Sequence, residues 1–357
     1  MADRMNAVVP ELLDRFQVPG AAVAVIRGGE VVHARGYGLA DAEAHVPMAD
    51  QAVLNVASVV KPVTAWGVMA LVEEGRIQLD APVNRYLKRM QITSDEYDVD
   101  GITVRRLLSH TSGLVRGSHP GYLPGNDVPD LVAALKGDAL PPPGSGMLHK
   151  IRVVRAPGSK RAYSGTAYGV LEVMIEDVTG QSFPAYMNEA VLSPLGMHRS
   201  AFGWPDSIRQ HAAVPHNLWS DTTPIRRFTG DAYGNFNATI ADLGRWVAAS
   251  VDGPSGPRGR GVLSPSTIDS MLTVTRGKWG ISYEAETLSD GTELWGHSGW
   301  NLGWMSRVHI DPETGNGLAV LTNADPYGFM VTRGAHCAWV KADYGVSFDR
   351  FCQESAT

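Results

Sequence analysis

The chain has 357 residues, 44% hydrophobic and 19% charged, with a net charge of −6 at pH 7. That is a globular composition with length for a large core, and no basic block supplies the footprint of a nucleic-acid binder. No apolar run approaches the ~18 residues of a membrane span. At the N-terminus Asp3, Arg4, Glu11 and Asp14 break up any apolar stretch, so no signal peptide is expected and the reading is a cytoplasmic chain. Met5, Val8, Val9, Leu12, Leu13 and Phe16 follow helical spacing, with Pro10 marking either a kink or the true helix start. Residues 21–27 and 30–36, around Gly28-Gly29, read as a β-hairpin. A helix begins near Ser58, with Trp66, Met69, Ala70 and Val72 on its apolar surface and Gly75 as its C-cap.

From about 76 to 235 helices and loops dominate. They include a short helix over 102–108 that runs into Ser109-His110-Thr111-Ser112-Gly113, and a Gly/Pro-rich loop at 137–146. Further on, a helix with Tyr168, Leu171, Ile175 and Val178 on one face ends at Gly180. The His110 stretch reads as a turn held by side-chain hydrogen bonds. Thr239 and Asp242 resemble a capping box ahead of Leu243, Trp246 and Val247. Strand candidates return at 279–283, 293–299, 305–310 and 318–322, and 331–344 has helical potential. Cys337 and Cys352, the only cysteines, suggest neither a disulfide framework nor a metal site. The expected fold is α+β within one domain over 1–357, with a lobe from approximately 1–75 and 236–357 and a helical lobe inserted at 76–235.

The chemistry starts at Leu54-Asn55-Val56-Ala57-Ser58-Val59-Val60-Lys61. A serine and a lysine three apart at a helix start share one face of the first turn. A neutral lysine there can take the serine's proton, and the helix N-terminus offers backbone N–H groups where negative charge develops. Alone the motif is weak, since about one chain in two of this composition would hold it by chance.

Two further motifs follow in order, Tyr163-Ser164-Gly165 after Ala156-Pro157-Gly158, and His297-Ser298-Gly299. With flanks such as Pro194-Leu195-Gly196-Met197 and Leu321-Thr322-Asn323, the chain resembles the serine β-lactamase and penicillin-recognising enzyme superfamily. It is most similar to the class C-like esterase, D-aminopeptidase and transacylase branch. The resemblance covers nearly the whole chain and implies a β-lactamase/transpeptidase-like fold, an antiparallel sheet flanked by terminal helices with an inserted all-helical lobe. It also implies Ser58 as the acylated nucleophile, with Lys61 and Tyr163 sharing the proton work. The backbone N–H groups of Ser58 and Trp300 would form the oxyanion hole, and His297, Ser298, Gly299 and Ser164 would contact substrate. Trp295, Trp300 and Trp304 surround the third motif as an apolar acyl pocket or as cover for the sheet. No metal or cofactor is expected.

Two departures bear on substrate. Gly165 stands where lactamases carry an Asn that binds a side-chain amide, and His297 stands where they carry a Lys that holds a carboxylate. The expected activity is serine acyl hydrolysis, of esterase or amidase type, on a small intracellular ester, amide or thioester. The alternative is an acyltransferase or cyclising enzyme passing the acyl group to an amine or alcohol acceptor. A true β-lactamase, a DD-peptidase or a non-catalytic binding protein is a weaker fit. Partners are small molecules, with no nucleic acid and no membrane, and the sequence leaves the oligomeric state open.

Overall fold

The computed structural model describes residues 1–117, 121–139, 150–217, 221–346 and 352. The expected hairpin forms β1 (Gly20–Arg27) and β2 (Glu30–Asp41), with Gly28 and Gly29 at positive φ in the turn, where glycine carries no Cβ penalty. The short β3 (Val46–Pro47) pairs with β2. Strands β7 (Glu284–Thr287), β8 (Glu293–Asn301), β9 (Trp304–Asp311) and β10 (Asn316–Thr322) complete a seven-stranded antiparallel sheet, in the order β3-β2-β1-β10-β9-β8-β7. The two ends of the chain therefore build one sheet. The interior strand β1 is buried along nearly its whole length. Helices α1 (Ala2–Phe16) and α10 (Gly328–Tyr344) cover one face, and α8 (Ile240–Ala249) covers the other. Cover on both faces is why β1 reads as an unbroken apolar run rather than an alternation.

Between the two sheet-forming segments lie α2 (Val60–Glu73), α3 (Val104–Leu108), α4 (Leu131–Lys136), α5 (Gly165–Thr179), α6 (Phe183–Met187), α7 (Asp206–Arg209) and α9 (Pro265–Met271). A small sheet of β4 (Val53–Asn55), β6 (Phe236–Thr239) and β5 (Ala201–Phe202) accompanies them. The caps expected from sequence form: Thr239 Oγ1 accepts the Asp242 N–H, and Gly180 ends α5 in a left-handed conformation. One apolar core lies under α1 and α10 and includes Met5, Val23 and Trp339. A larger one joins the other sheet face to the helices through Trp66, Leu107, Tyr168 and Trp246.

Pro10 sits inside α1, which begins eight residues earlier in the chain. The strand expected at 279–283 starts later. Ser282 takes φ 64°, which breaks extended backbone, and regular pairing begins at Glu284. The loop expected at 137–146 falls mostly outside the described residues. Cys337 and Cys352, which suggested no disulfide framework in the sequence, form a disulfide across 15 residues with Cα atoms 5.2 Å apart. Two cysteines at that spacing carry no pairing signature, so the bond was not legible. Disulfides persist mainly in oxidising compartments, and this one weighs against the cytoplasmic expectation. No helix among the described residues is long and apolar enough to cross a membrane.

Candidate active site

Strand β4 ends at Asn55, and a single 3-10 turn, Ala57–Val59, leads into α2. Ala57 holds φ 48°, a left-handed value that costs a non-glycine residue of order 1 kcal/mol or more. The turn is fixed from both sides: Asn55 Oδ1 accepts the Ala57 N–H at 2.9 Å, and the Ser306 hydroxyl donates to the Val56 carbonyl at 2.7 Å. Asn55 also accepts from Asn301 Nδ2 at 2.7 Å, and its own Nδ2 reaches the Asn237 side chain. One buried amide thus ties the serine turn to β6 and to the end of β8. The sequence offered only a faint signal for it, a polar residue inside an apolar strand.

Ser58 and Lys61 meet as their spacing predicts, with Nζ 3.2 Å from the Ser58 Oγ. Lys61 is buried, and its Nζ also donates to the Tyr233 carbonyl at 2.9 Å. Burial in this low-dielectric setting lowers its pKa to about 7, so a large fraction is neutral near physiological pH.

Tyr163 lies beside them, with Lys61 Nζ 5.0 Å from its ring centroid. Burial raises the phenol's pKa, and the nearby Ser58 hydroxyl offsets part of that rise without forming a hydrogen bond of standard geometry. Tyr163 is therefore held protonated. His110, read from sequence as a turn residue, packs its ring 4.3 Å from that of Tyr163. Its Nδ1 accepts the Ser164 N–H at 3.2 Å, and burial keeps the imidazole neutral. The turn itself is as expected, with Ser109 and Thr111 hydroxyls 3.1 Å apart. Arg161 stacks its guanidinium 3.7 Å over Trp279, next to this group.

The third motif runs along β8. A Cβ on Gly299 would come within 2.7 Å of the Val56 carbonyl and 2.8 Å of the Ser58 nitrogen. Only glycine lets β8 approach the serine turn this closely, and Trp300 follows directly. His297 faces the site: its Nδ1 donates to the Ser298 carbonyl at 2.6 Å, leaving Nε2 as a buried acceptor with no partner. Burial, helped by the charge of Lys61, lowers its pKa to about 3, so His297 is neutral.

Two expected substrate contacts do not converge here. Strand alternation turns Ser298 to the opposite face of the sheet, where it is exposed. The Ser164 hydroxyl caps α5, accepting the Ala167 N–H and donating to the Val115 carbonyl at 2.8 Å. Nor do the three tryptophans form one pocket. Trp295 and Trp304 are buried in the larger core, whereas Trp300 is 60% exposed on the other face, its Nε1 bonded to Asp325.

A model of the family described as Beta-lactamase matches residues 5–337. The chain belongs to the β-lactamase family. It is 31% identical over 328 residues to esterase EstB of Burkholderia gladioli, covering 87% of this chain and 81% of that one. Protein flp of Staphylococcus aureus is 23% identical over 90% of this chain, which spans 62% of flp's length. The octameric penicillin-binding protein homologue from Pyrococcus abyssi superposes with a TM-score of 0.75 at 23% identity, over 98% of this chain and 78% of that one. That likeness shows the fold, the β-lactamase/transpeptidase-like arrangement.

In this β-lactamase-family chain the carbonyl that holds Lys61 is itself positioned by a buried acid. Glu172 Oε2, from α5, accepts the N–H groups of Asp231 and Ala232 at 2.7 and 2.8 Å, next to Tyr233. Burial and the neighbouring Asp231 raise the Glu172 pKa well above the usual carboxylate range. A raised acid pKa means stability present at low pH and lost as pH rises from the unfolded-state value toward the folded one. Glu172→Gln keeps an acceptor without that cost and should be at least as stable as wild type at pH 8. Glu172→Ala orphans two buried N–H groups, each worth about 1–3 kcal/mol. Urea unfolding of both variants checks this, and a glutamine variant as destabilised as the alanine one would contradict it.

Proposed function

We propose that the chain is a serine acyl hydrolase of esterase type, working through a Ser58 acyl-enzyme on uncharged esters, amides or thioesters. The observation that carries the reading is the Ser58–Lys61 pair, 3.2 Å apart, with a partly exposed serine beside a lysine that burial makes partly neutral. Neutral Lys61 accepts the Ser58 proton as Oγ bonds to the acyl carbon. The carbonyl oxygen, now an oxyanion, is met by the N–H groups of Ser58 and Trp300. As the carbon–leaving group bond breaks, protonated Tyr163 donates to the departing atom and Lys61 returns a proton to Tyr163. Water, activated by the same pair, then hydrolyses the acyl-enzyme. The 31% identity to an esterase supports this class over a lactamase.

Substrate charge follows from His297 and position 165. A neutral imidazole with a free acceptor replaces a fixed cation, and Gly165 offers no side-chain amide. A β-lactam's carboxylate and amide thereby lose two partners, at ~1.5–3 kcal/mol each for charged or buried groups. Together these cost roughly 10²–10⁴ in kcat/KM against a true lactamase. Nitrocefin and a p-nitrophenyl ester, assayed side by side, should give the higher kcat/KM for the ester. A faster nitrocefin reaction would overturn the reading and point to Arg161, the guanidinium beside Tyr163, as a carboxylate partner. Repeating the ester assay with added amines separates hydrolysis from acyl transfer, since transfer gives the amide product.

A further inference from the structure

The backbone around Trp300 is held at three points. Before it, Gly299 lies against the serine turn, where a Cβ would come within 2.8 Å of the Ser58 nitrogen. After it, Asn301 Nδ2 donates to Asn55 Oδ1 at 2.7 Å and to the Gly234 carbonyl at 2.8 Å. The third hold is on the side chain, where the indole Nε1 donates to Asp325 Oδ2 at 3.0 Å. Asp325 Oδ1 accepts the Gly303 N–H at 2.5 Å, so one carboxylate joins the end of β8 to the turn that follows it.

Asp325 is a fixed post. It is buried, and the loop that carries it is tied down on both sides. Asn323 Nδ2 donates to the carbonyls of Leu39, Ala40 and Val214 at 3.0–3.1 Å. The Asp325 N–H donates to the His216 carbonyl at 3.2 Å. Closing the turn needs only the bond to Gly303. Solvent is at hand for a side chain that is 60% exposed, so satisfying the indole alone does not require a buried carboxylate. The second bond therefore fixes where Trp300 sits. Glycine at 299 makes that hold matter, since a residue without Cβ leaves the following peptide wide conformational freedom. That peptide carries the Trp300 N–H.

We propose that Asp325 is a positioning residue for the oxyanion hole: by holding the Trp300 indole, it orients the Trp300 N–H toward the acyl oxygen that becomes negative. Its role rests on the reading of Ser58 as the acylated nucleophile, with that N–H as one of two oxyanion donors. Such donors work because they need not reorient as charge develops, and a carboxylate acceptor makes a strong hold.

Steady-state hydrolysis of a p-nitrophenyl ester by the full chain tests this, with active sites counted by complete labelling of Ser58 with a fluorophosphonate. Asp325→Asn leaves one acceptor oxygen for two donors, and Trp300→Phe removes the indole N–H while keeping the backbone one. Each should lower kcat per labelled site by roughly 10–100-fold, below the 10²–10³ lost when an oxyanion donor is removed outright, with KM nearly unchanged. The double variant should lose little more than either single one. Neither should move the ionisation near pH 7 that belongs to Lys61. Trp300→Phe changes an exposed side chain and keeps the test open should Asp325→Asn not fold. Wild type unlabelled at Ser58 would remove the catalytic reading and this role with it. Variants that label fully and keep kcat within about twofold, a purely structural loss of labelled sites, additive losses or a shifted ionisation would overturn the role of Asp325 alone.

Discussion

Ser58→Ala should abolish turnover, with a loss of at least ~10⁴ in kcat, the scale seen when a catalytic nucleophile is removed. The size follows from what the surrounding structure invests in this one hydroxyl. Ala57 is held in a left-handed conformation, Asn55 and Ser306 pin the turn, and Gly299 gives up its side chain so that β8 can reach it. None of these supports a reaction if Oγ is missing. Intact mass spectrometry after exposure to a p-nitrophenyl ester should show an acyl adduct on the wild type and none on the variant. An adduct mapped to another serine, or one that persists in Ser58→Ala, would remove Ser58 from its role. The variant should stay folded, because the hydroxyl caps no helix and its hydrogen-bond partner Lys61 keeps the Tyr233 carbonyl.

Much of this frame was legible in the sequence, for reasons that can be named. The hairpin around Gly28-Gly29, the strands that became β8, β9 and β10, and the final helix carry strong local signals, because periodicity and turn chemistry act over a few residues. The Ser58–Lys61 contact was legible because both residues sit in one helical turn. His110 and Glu172 were not. Each acts through residues more than fifty positions away, Ser164 in one case and Asp231 in the other, and no local pattern records such a pairing. Ser298 shows a different limit. A motif places three residues together in sequence, but a strand sends alternate side chains to opposite faces, so His297 points toward the catalytic groups and Ser298 away from them. Sequence also left open whether Lys61 or Tyr163 acts as the base, since burial sets their pKa values and burial is a tertiary property. In the fold, burial pushes the two pKa values apart, the lysine toward neutrality and the tyrosine upward.

That separation makes the proton-transfer pair testable by pH as well as by mutation. If neutral Lys61 takes the Ser58 proton, kcat/KM should rise with pH through a single ionisation near pH 7, where the buried ammonium deprotonates. The sign is fixed: protonated Lys61 has no lone pair to accept with, so acid inactivates. A Tyr163 phenolate as base would instead put the rise far above pH 7, because burial raises the phenol's pKa. Lys61→Ala and Tyr163→Phe should each cost ~10²–10⁴ in kcat, the range for general acid–base groups. They should also differ in profile. Tyr163→Phe keeps the ionisation near 7, shifted by no more than the loss of one neighbouring hydroxyl, while Lys61→Ala removes it. The double variant should lose much less than the product of the single effects, because a proton passes between the two groups and either deletion breaks the relay. Additive losses in that cycle, or a Lys61→Ala enzyme that keeps the ionisation near pH 7, would show that the buried lysine is not the base.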